Sequence, residues 1–293
     1  MPVLPSAPPA PRSHRLFRIV LALFVGSILF SVAGTVLLNF FPAQAAVALG
    51  WIATHLGLSL NDLIKGPTWV YMALLPVLTF LLYLPDLGLR RSVLFLLWGS
   101  AVGAAAELLG TQTGFPFGAY TYGDYLGAKI AGHVPWFIPP SWYAVSLVAY
   151  DLARRLRVGP VATVVWGAVI MTLWDVALDP AMSRAFPFWT YGTEGFFFGM
   201  PLSNWGGWLV TSLVIVWGYD RWGGLRSAPD WAPTLYALNV IFPVLICLLY
   251  GFPLAGVIGL AALVFVFVVV SRRGGRLLPE RRDAPARPHP VRA

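Results

Sequence analysis

Apolar runs long enough to cross hydrocarbon recur along this chain, and they constrain its fold more than any other feature. They lie near residues 16–41, 68–88, 92–110, 134–153, 159–179, 205–220, 232–250 and 252–271. A spanning helix needs about 20 predominantly apolar residues. Eight such runs predict an all-α fold, a polytopic membrane bundle of about eight transmembrane helices. Composition agrees, because 58% hydrophobic against 11% charged residues is too apolar for a water-soluble domain. A shorter window at residues 44–60 is broken by Gly50, Thr54, His55 and Gly57. It reads as re-entrant or interfacial, with a true span as the remaining alternative.

The formal charge of +8 raises the question of nucleic acid, but the basic residues fall in short runs between apolar segments. They read as topology signals, and no nucleic-acid partner is expected. Of the 20 Lys and Arg residues, an eight-span arrangement leaves only Lys65, Lys129 and Arg184 on the side away from the termini. This positive-inside asymmetry predicts a multi-pass protein of the cell membrane with both termini cytoplasmic. A ninth span would invert every later loop and erase it. Residues 1–15 and 272–293 are basic tails with too little apolar content to fold, expected to be disordered around a transmembrane domain at 16–271. The first apolar run exceeds the about 7 to 15 residues of a cleaved signal, so it reads as a retained span. The single Cys247 gives no disulfide framework, and the scattered histidines give no metal-ligand spacing.

Two outer loops, residues 111–133 and 180–204, hold most of the unusual polar side chains. The first reads FPFGAYTYGD and then IPPSW; the second reads FPFWTYGTE and then MPLSNW. Each joins an outward-running helix to a returning one, which makes a candidate parallel internal repeat of two helical hairpins. Such repeats place a shared site between the halves. Shared composition of two aromatic-rich loops is the competing explanation.

The carboxylates carry the chemistry. An ionisable group within a span costs at least about 2.5 to 3.5 kcal/mol on insertion scales, so buried acids have a reason to be there. Asp175 and Asp179, four apart in MTLWDVALDP, share one helix face. Like charges so placed repel, and one carboxyl holds a proton while its neighbour stays ionised. Asp179 beside Pro180 also fits a plain helix end. Glu107 follows the small-residue run Gly103-Ala104-Ala105-Ala106, which lets a neighbouring helix approach, so its carboxyl faces protein rather than lipid. Asp124 and Glu194, in more open loops, are secondary candidates. Aromatic residues crowd the same boundary; most fit an interfacial belt, while Tyr120, Tyr122, Trp142, Trp174, Tyr191 and Trp205, with Asn204, are candidate substrate-binding residues. Acids beside aromatic faces suit a reaction through a carbocation.

In order along the chain, ELLGTQTGFPFGAYTY, VPWFIPPSW, MTLWDVALDP and FFFGMPLSNWGGW resemble the blocks of CruF-type carotenoid 1',2'-hydratases, over residues 65–220. The resemblance implies a cofactor-independent, metal-free hydro-lyase. It would add water across the terminal 1',2' double bond of an acyclic end of γ-carotene or lycopene. Protonation at C2' and capture of the tertiary C1' cation by water call for an acid, a shielded cation and a water-holding base. Asp175 and Glu107 would fill the donor and base roles in either order, with Asp179 in support. The partners implied are a lipophilic carotenoid, water, membrane lipid and other carotenoid-synthesis enzymes. A transporter and a non-catalytic member of a pigment-synthesis complex remain the rival classes.

Overall fold

A computed structural model describes residues 11–277. Most of the two expected tails, residues 1–10 and 278–293, lies outside the described residues. Among the described residues, eight α-helices are formed: α1 (Pro11–Phe40), α2 (Pro42–Leu56), α3 (Leu60–Thr113), α4 (Ile138–Arg154), α5 (Pro160–Pro180), α6 (Leu202–Arg221), α7 (Ala232–Leu249) and α8 (Pro253–Arg272). Helix α1 thus begins inside the stretch expected as a tail. Four short strands occupy the loops: β1 (Tyr120–Tyr122), β2 (Lys129–Ile130), β3 (Val134–Pro135) and β4 (Trp189–Tyr191).

Helix α3 is 54 residues long, far more than a bilayer needs, and it turns back at Gly88. There φ is 70° and ψ 164°, a conformation that L side chains rarely adopt. The two limbs run oppositely beside α4. At the start of α4, the Trp69 ring lies 6.2 Å from Phe137, and Trp142 Nε1 donates to Glu107 at 2.9 Å. Near the end of α4, the Tyr83 hydroxyl donates to Asp151 at 2.9 Å. The limbs match the apolar windows at 68–88 and 92–110, so eight limbs cross the bundle.

Among the described residues, five helical stretches are individually long and apolar enough to span a membrane: Arg15–Phe40, Leu60–Thr113, Pro160–Ala185, where a π-turn at Ala181–Ala185 extends α5, Ala232–Leu249 and Pro253–Arg272. Helix α4, with 17 residues, is not among them, and it is the most enclosed of the bundle's helices. Every residue from Trp142 to Ala153 is buried, so protein rather than lipid surrounds it. Close approach is bought by glycine: a Cβ on Gly99 would lie 2.8 Å from Tyr143 Cα, and one on Gly103 2.6 Å from Trp142 Cγ.

The arginine-rich turns gather at one end of the bundle. Arg155 pairs with Asp151 at 2.9 Å and donates to the carbonyls of Pro229, at 2.7 Å, and Arg276. Arg91 donates to the Gly224 carbonyl, and Asp86 accepts from the Arg226 amide at 2.8 Å. The two long loops share the opposite end, where β1 pairs with β4. Helix α2 stays at that end too. It joins the end of α1 to the start of α3, which is fixed by a Ser59–Asp62 capping box. It does not cross the bundle, in keeping with the re-entrant or interfacial reading.

Candidate active site

Glu107 sits near the end of α3, 5% exposed. Helix α3 stops at Gly114, whose φ of 79° suits glycine, and the chain returns as β1. Alternate residues of a strand share a face, so Tyr120 and Tyr122 point the same way. Both hydroxyls donate to Glu107 Oε2, that of Tyr122 at 2.9 Å. The indole of Trp142, from the first turns of α4, donates to Oε1 at 2.9 Å. The carboxyl thus accepts three hydrogen bonds, two from β1 and one from α4, which fix its position.

Asp179 repeats the arrangement in the second hairpin. Trp189 and Tyr191, on one face of β4, donate to its Oδ1 at 2.7 and 2.9 Å, and the Tyr191 hydroxyl also lies 2.9 Å from Oδ2. Strands β1 and β4 pair antiparallel with Tyr120 opposite Tyr191, Thr121 opposite Thr190 and Tyr122 opposite Trp189. Aligning YTYG with WTYG makes Tyr120 equivalent to Trp189 and Tyr122 to Tyr191. The register exchanges these equivalents, as a local twofold at the Thr121–Thr190 pair requires. Their hydroxyls lie 3.3 Å apart. The two loops are therefore related in space as well as in sequence.

Asp175, one turn before Asp179, is 1% exposed. Its Oδ2 accepts from Asn204 Nδ2 at 2.9 Å, while its buried Oδ1 has no hydrogen-bond partner among the described residues. Leaving a buried polar atom unpaired costs about 1 to 3 kcal/mol, so this oxygen marks a place for a further partner. Aromatic rings stand around it. Trp208 stacks on Trp142 at 4.3 Å and meets Trp174 edge-on at 5.6 Å, and Trp174 is held by its indole hydrogen bond of 2.9 Å to the Asn239 carbonyl.

All three carboxyls line one cavity of about 410 Å³. Of the aromatic and polar candidates, Tyr120, Tyr122, Trp142, Trp174, Tyr191 and Asn204 line it. Away from the acids the walls become mostly apolar, supplied by α1, α2 and the first limb of α3. Outside the helices, burial and then the nearby Glu107 carboxylate push the Tyr120 and Tyr122 phenols above their ordinary value; burial and Asp179 do the same to Tyr191. All three remain neutral donors.

The remaining candidates lie elsewhere. Trp205 does not line the cavity but packs on Phe196 and Phe197, at 6.1 and 5.3 Å. It follows Asn204 by one residue, about 100° round the helix, whereas Trp208 is one turn from Asn204 on the same face. Asp124 is exposed and pairs with Lys129 at 3.1 Å, and Glu194 is exposed in its loop. Sequence reasoning passed over Trp189 and Trp208 as members of an interfacial belt. Spacing carried a signal for both: Trp189 is two residues before Tyr191, and Trp208 four after Asn204.

Residues 67–266 match the model of the carotenoid biosynthesis protein family. The chain belongs to that family. It is also 34% identical to the bisanhydrobacterioruberin hydratase of Haloarcula japonica over 202 residues, covering 65% of this chain and 67% of the relative. No solved structure matches. The family match spans all three carboxyls and their donors. It leaves out α1 and α2, which furnish part of the apolar wall.

Proposed function

We propose that the chain is a carotenoid hydratase that adds water to the terminal 1',2' double bond of an acyclic end of γ-carotene or lycopene. The observation that carries this reading is the buried Asp175 carboxyl, with one oxygen unpaired, at the acidic end of an apolar cavity. The resemblance to a named hydratase supports the reaction class, and membership of a carotenoid biosynthesis family supports the substrate class.

In this mechanism protonated Asp175 gives its proton to C2', and the alkene electron pair forms the new C–H bond. The tertiary cation left at C1' lies among Trp142, Trp174 and Trp208, whose faces stabilise it by about 2 kcal/mol or more once water is excluded. Water bonds to C1' through oxygen. One of its protons passes to Glu107, whose Oε1 accepts a single protein hydrogen bond and keeps a lone pair for it. Return of that proton through the carboxyl cluster to Asp175 closes the cycle, and the net change is addition of one water. Asp179 is a second fixed anion favouring the cation.

The transporter alternative requires a polar path through the bundle. Instead the inner half is occupied by buried α4 side chains and closed by the Tyr83–Asp151–Arg155 cluster. The distribution of arginines supports a cell-membrane protein with both termini and the arginine-rich turns cytoplasmic. Expression in a host that accumulates lycopene or γ-carotene tests the function. The expected product is the 1'-hydroxy carotenoid, formed without added nicotinamide, flavin or metal; unchanged pigment despite confirmed membrane insertion would overturn the proposal.

A further inference from the structure

The cavity is larger and differently lined than proton transfer alone requires. Its acidic end lies among α3, α4, α5 and α6, and a second arm runs between α1, α2 and the first limb of α3. On α2, Ala45, Ala48, Leu49 and Ile52 line this arm at the spacing of one helix face. On α1 the wall includes Gly34, where an added Cβ would meet no atom within 4 Å. The opposite face of α2 is exposed and carries Val47 at 75% and Trp51 at 56%, flanked by Gln44 and His55 at its ends. In a chain surrounded by lipid, α2 is therefore a wall one helix thick between the arm and the hydrocarbon.

We propose that this arm is the binding site for the polyene chain behind the reacting end, and that Gly34, Ala45 and Ala48 set its bore. The inference rests on the hydratase reading for the identity of the substrate. Three features favour a linear lipophilic chain as the occupant: the arm is continuous with the acids, its walls are mostly apolar with the hydroxyls of Ser31, Thr35 and Thr68 turned to backbone carbonyls, and its smallest residues sit on the two helices bordering it. A carotene directed into the cavity with its alkene at Asp175 must place its conjugated chain along an apolar path, because burying polar groups against it would cost their hydration. Small side chains leave that path open. Gly34, Ala45 and Ala48 lie on α1 and α2, outside the matched residues 67–266.

Binding and turnover of two ligands test this in the full-length protein in detergent micelles: a full-length acyclic carotene, and a short acyclic isoprenoid hydrocarbon with the same end group. Quenching of tryptophan fluorescence reads binding, since Trp142, Trp174 and Trp208 stand at the acidic end; chromatography of the same samples reads hydration. Ala48→Phe and, as an independent block on the facing helix, Gly34→Leu are expected to weaken binding of the long carotene by about tenfold or more while sparing the short ligand, the scale on which apolar pockets discriminate by size. Equal binding of the long carotene by both variants and the unaltered protein would overturn the proposal, as would equal loss of both ligands. Selective loss of long-chain binding with no hydrated product from any sample would uphold the arm and reject the hydratase reading.

Discussion

Tyr120 and Tyr191 stand opposite one another across the β1–β4 pair, and each gives its phenolic hydrogen to the carboxyl of its own hairpin, Glu107 or Asp179. Two loops far apart in sequence thereby hold two buried acids through one short piece of sheet. The arrangement follows from strand geometry. Residues two apart face the same side, so YTY and WTY each aim two donors at one carboxyl.

Removing the exchangeable proton should abolish chemistry without unfolding the protein. Asp175→Asn and Glu107→Gln nearly preserve volume, and each is expected to lower hydration by about 10²- to 10⁴-fold, the usual contribution of general acid–base catalysis. Asp179→Asn should cost less, because that group serves as a fixed anion. Pigment analysis, normalised to protein in the membrane fraction, measures all three. Near-normal yield from both Asp175→Asn and Glu107→Gln would move the chemistry to other residues.

Turnover in heavy water should place one deuterium on C2' of the hydroxylated product, since the added hydrogen comes from a carboxyl in exchange with solvent. Mass spectrometry and proton NMR of the purified pigment locate it. Product without deuterium at C2' would reject protonation of the alkene.

Trp208→Leu should slow hydration by more than about tenfold, given the roughly 2 kcal/mol that a desolvated aromatic face offers a cation. Trp205→Leu, three residues away, should leave the rate near normal because that ring lies off the cavity and packs on Phe196 and Phe197. Comparable losses in the two variants would show that bundle integrity, rather than the cation site, governs the rate.

The phenols predict a pH dependence of stability. Burial first, then Glu107, raises the Tyr120 and Tyr122 values above the ordinary 10.0. Above that pH the unfolded chain releases protons that the folded one retains, so this contribution is complete below about pH 10 and declines as pH rises further. Thermal melts across this range should show a steeper alkaline loss for the unaltered protein than for Tyr122→Phe. Identical profiles would mean that the phenol is not held protonated by the fold.

Cysteine labelling tests the orientation with little background, because the single Cys247 is buried. Cysteines introduced at the exposed positions Asp124 and Glu194 should react from the same outer side, and one at Arg157 from the cytoplasm. Labelling of Asp124 and Glu194 positions from opposite sides would contradict the shared end of the two long loops.

Sequence alone determined the solvent and singled out the buried acids. Long apolar runs compel helices in a bilayer, since each backbone polar group must be satisfied within its own segment. Helical spacing put Asp175 and Asp179 on one face, and the paired FPF motifs marked two related hairpins. Tertiary structure decided the rest. The phenols of Tyr120 and Tyr122 reach Glu107 only because α3 ends at Gly114 and the returning strand is pinned by β4, some seventy residues away. Interfacial aromatics suit either lipid headgroups or a pocket wall, so composition cannot distinguish Trp208 from Trp205; the rotation of α6 against its neighbours does. Nor does the apolar pattern of α2 say which face looks inward. That depends on α1 and α3, whose spacing leaves the arm that Ala45 and Ala48 line.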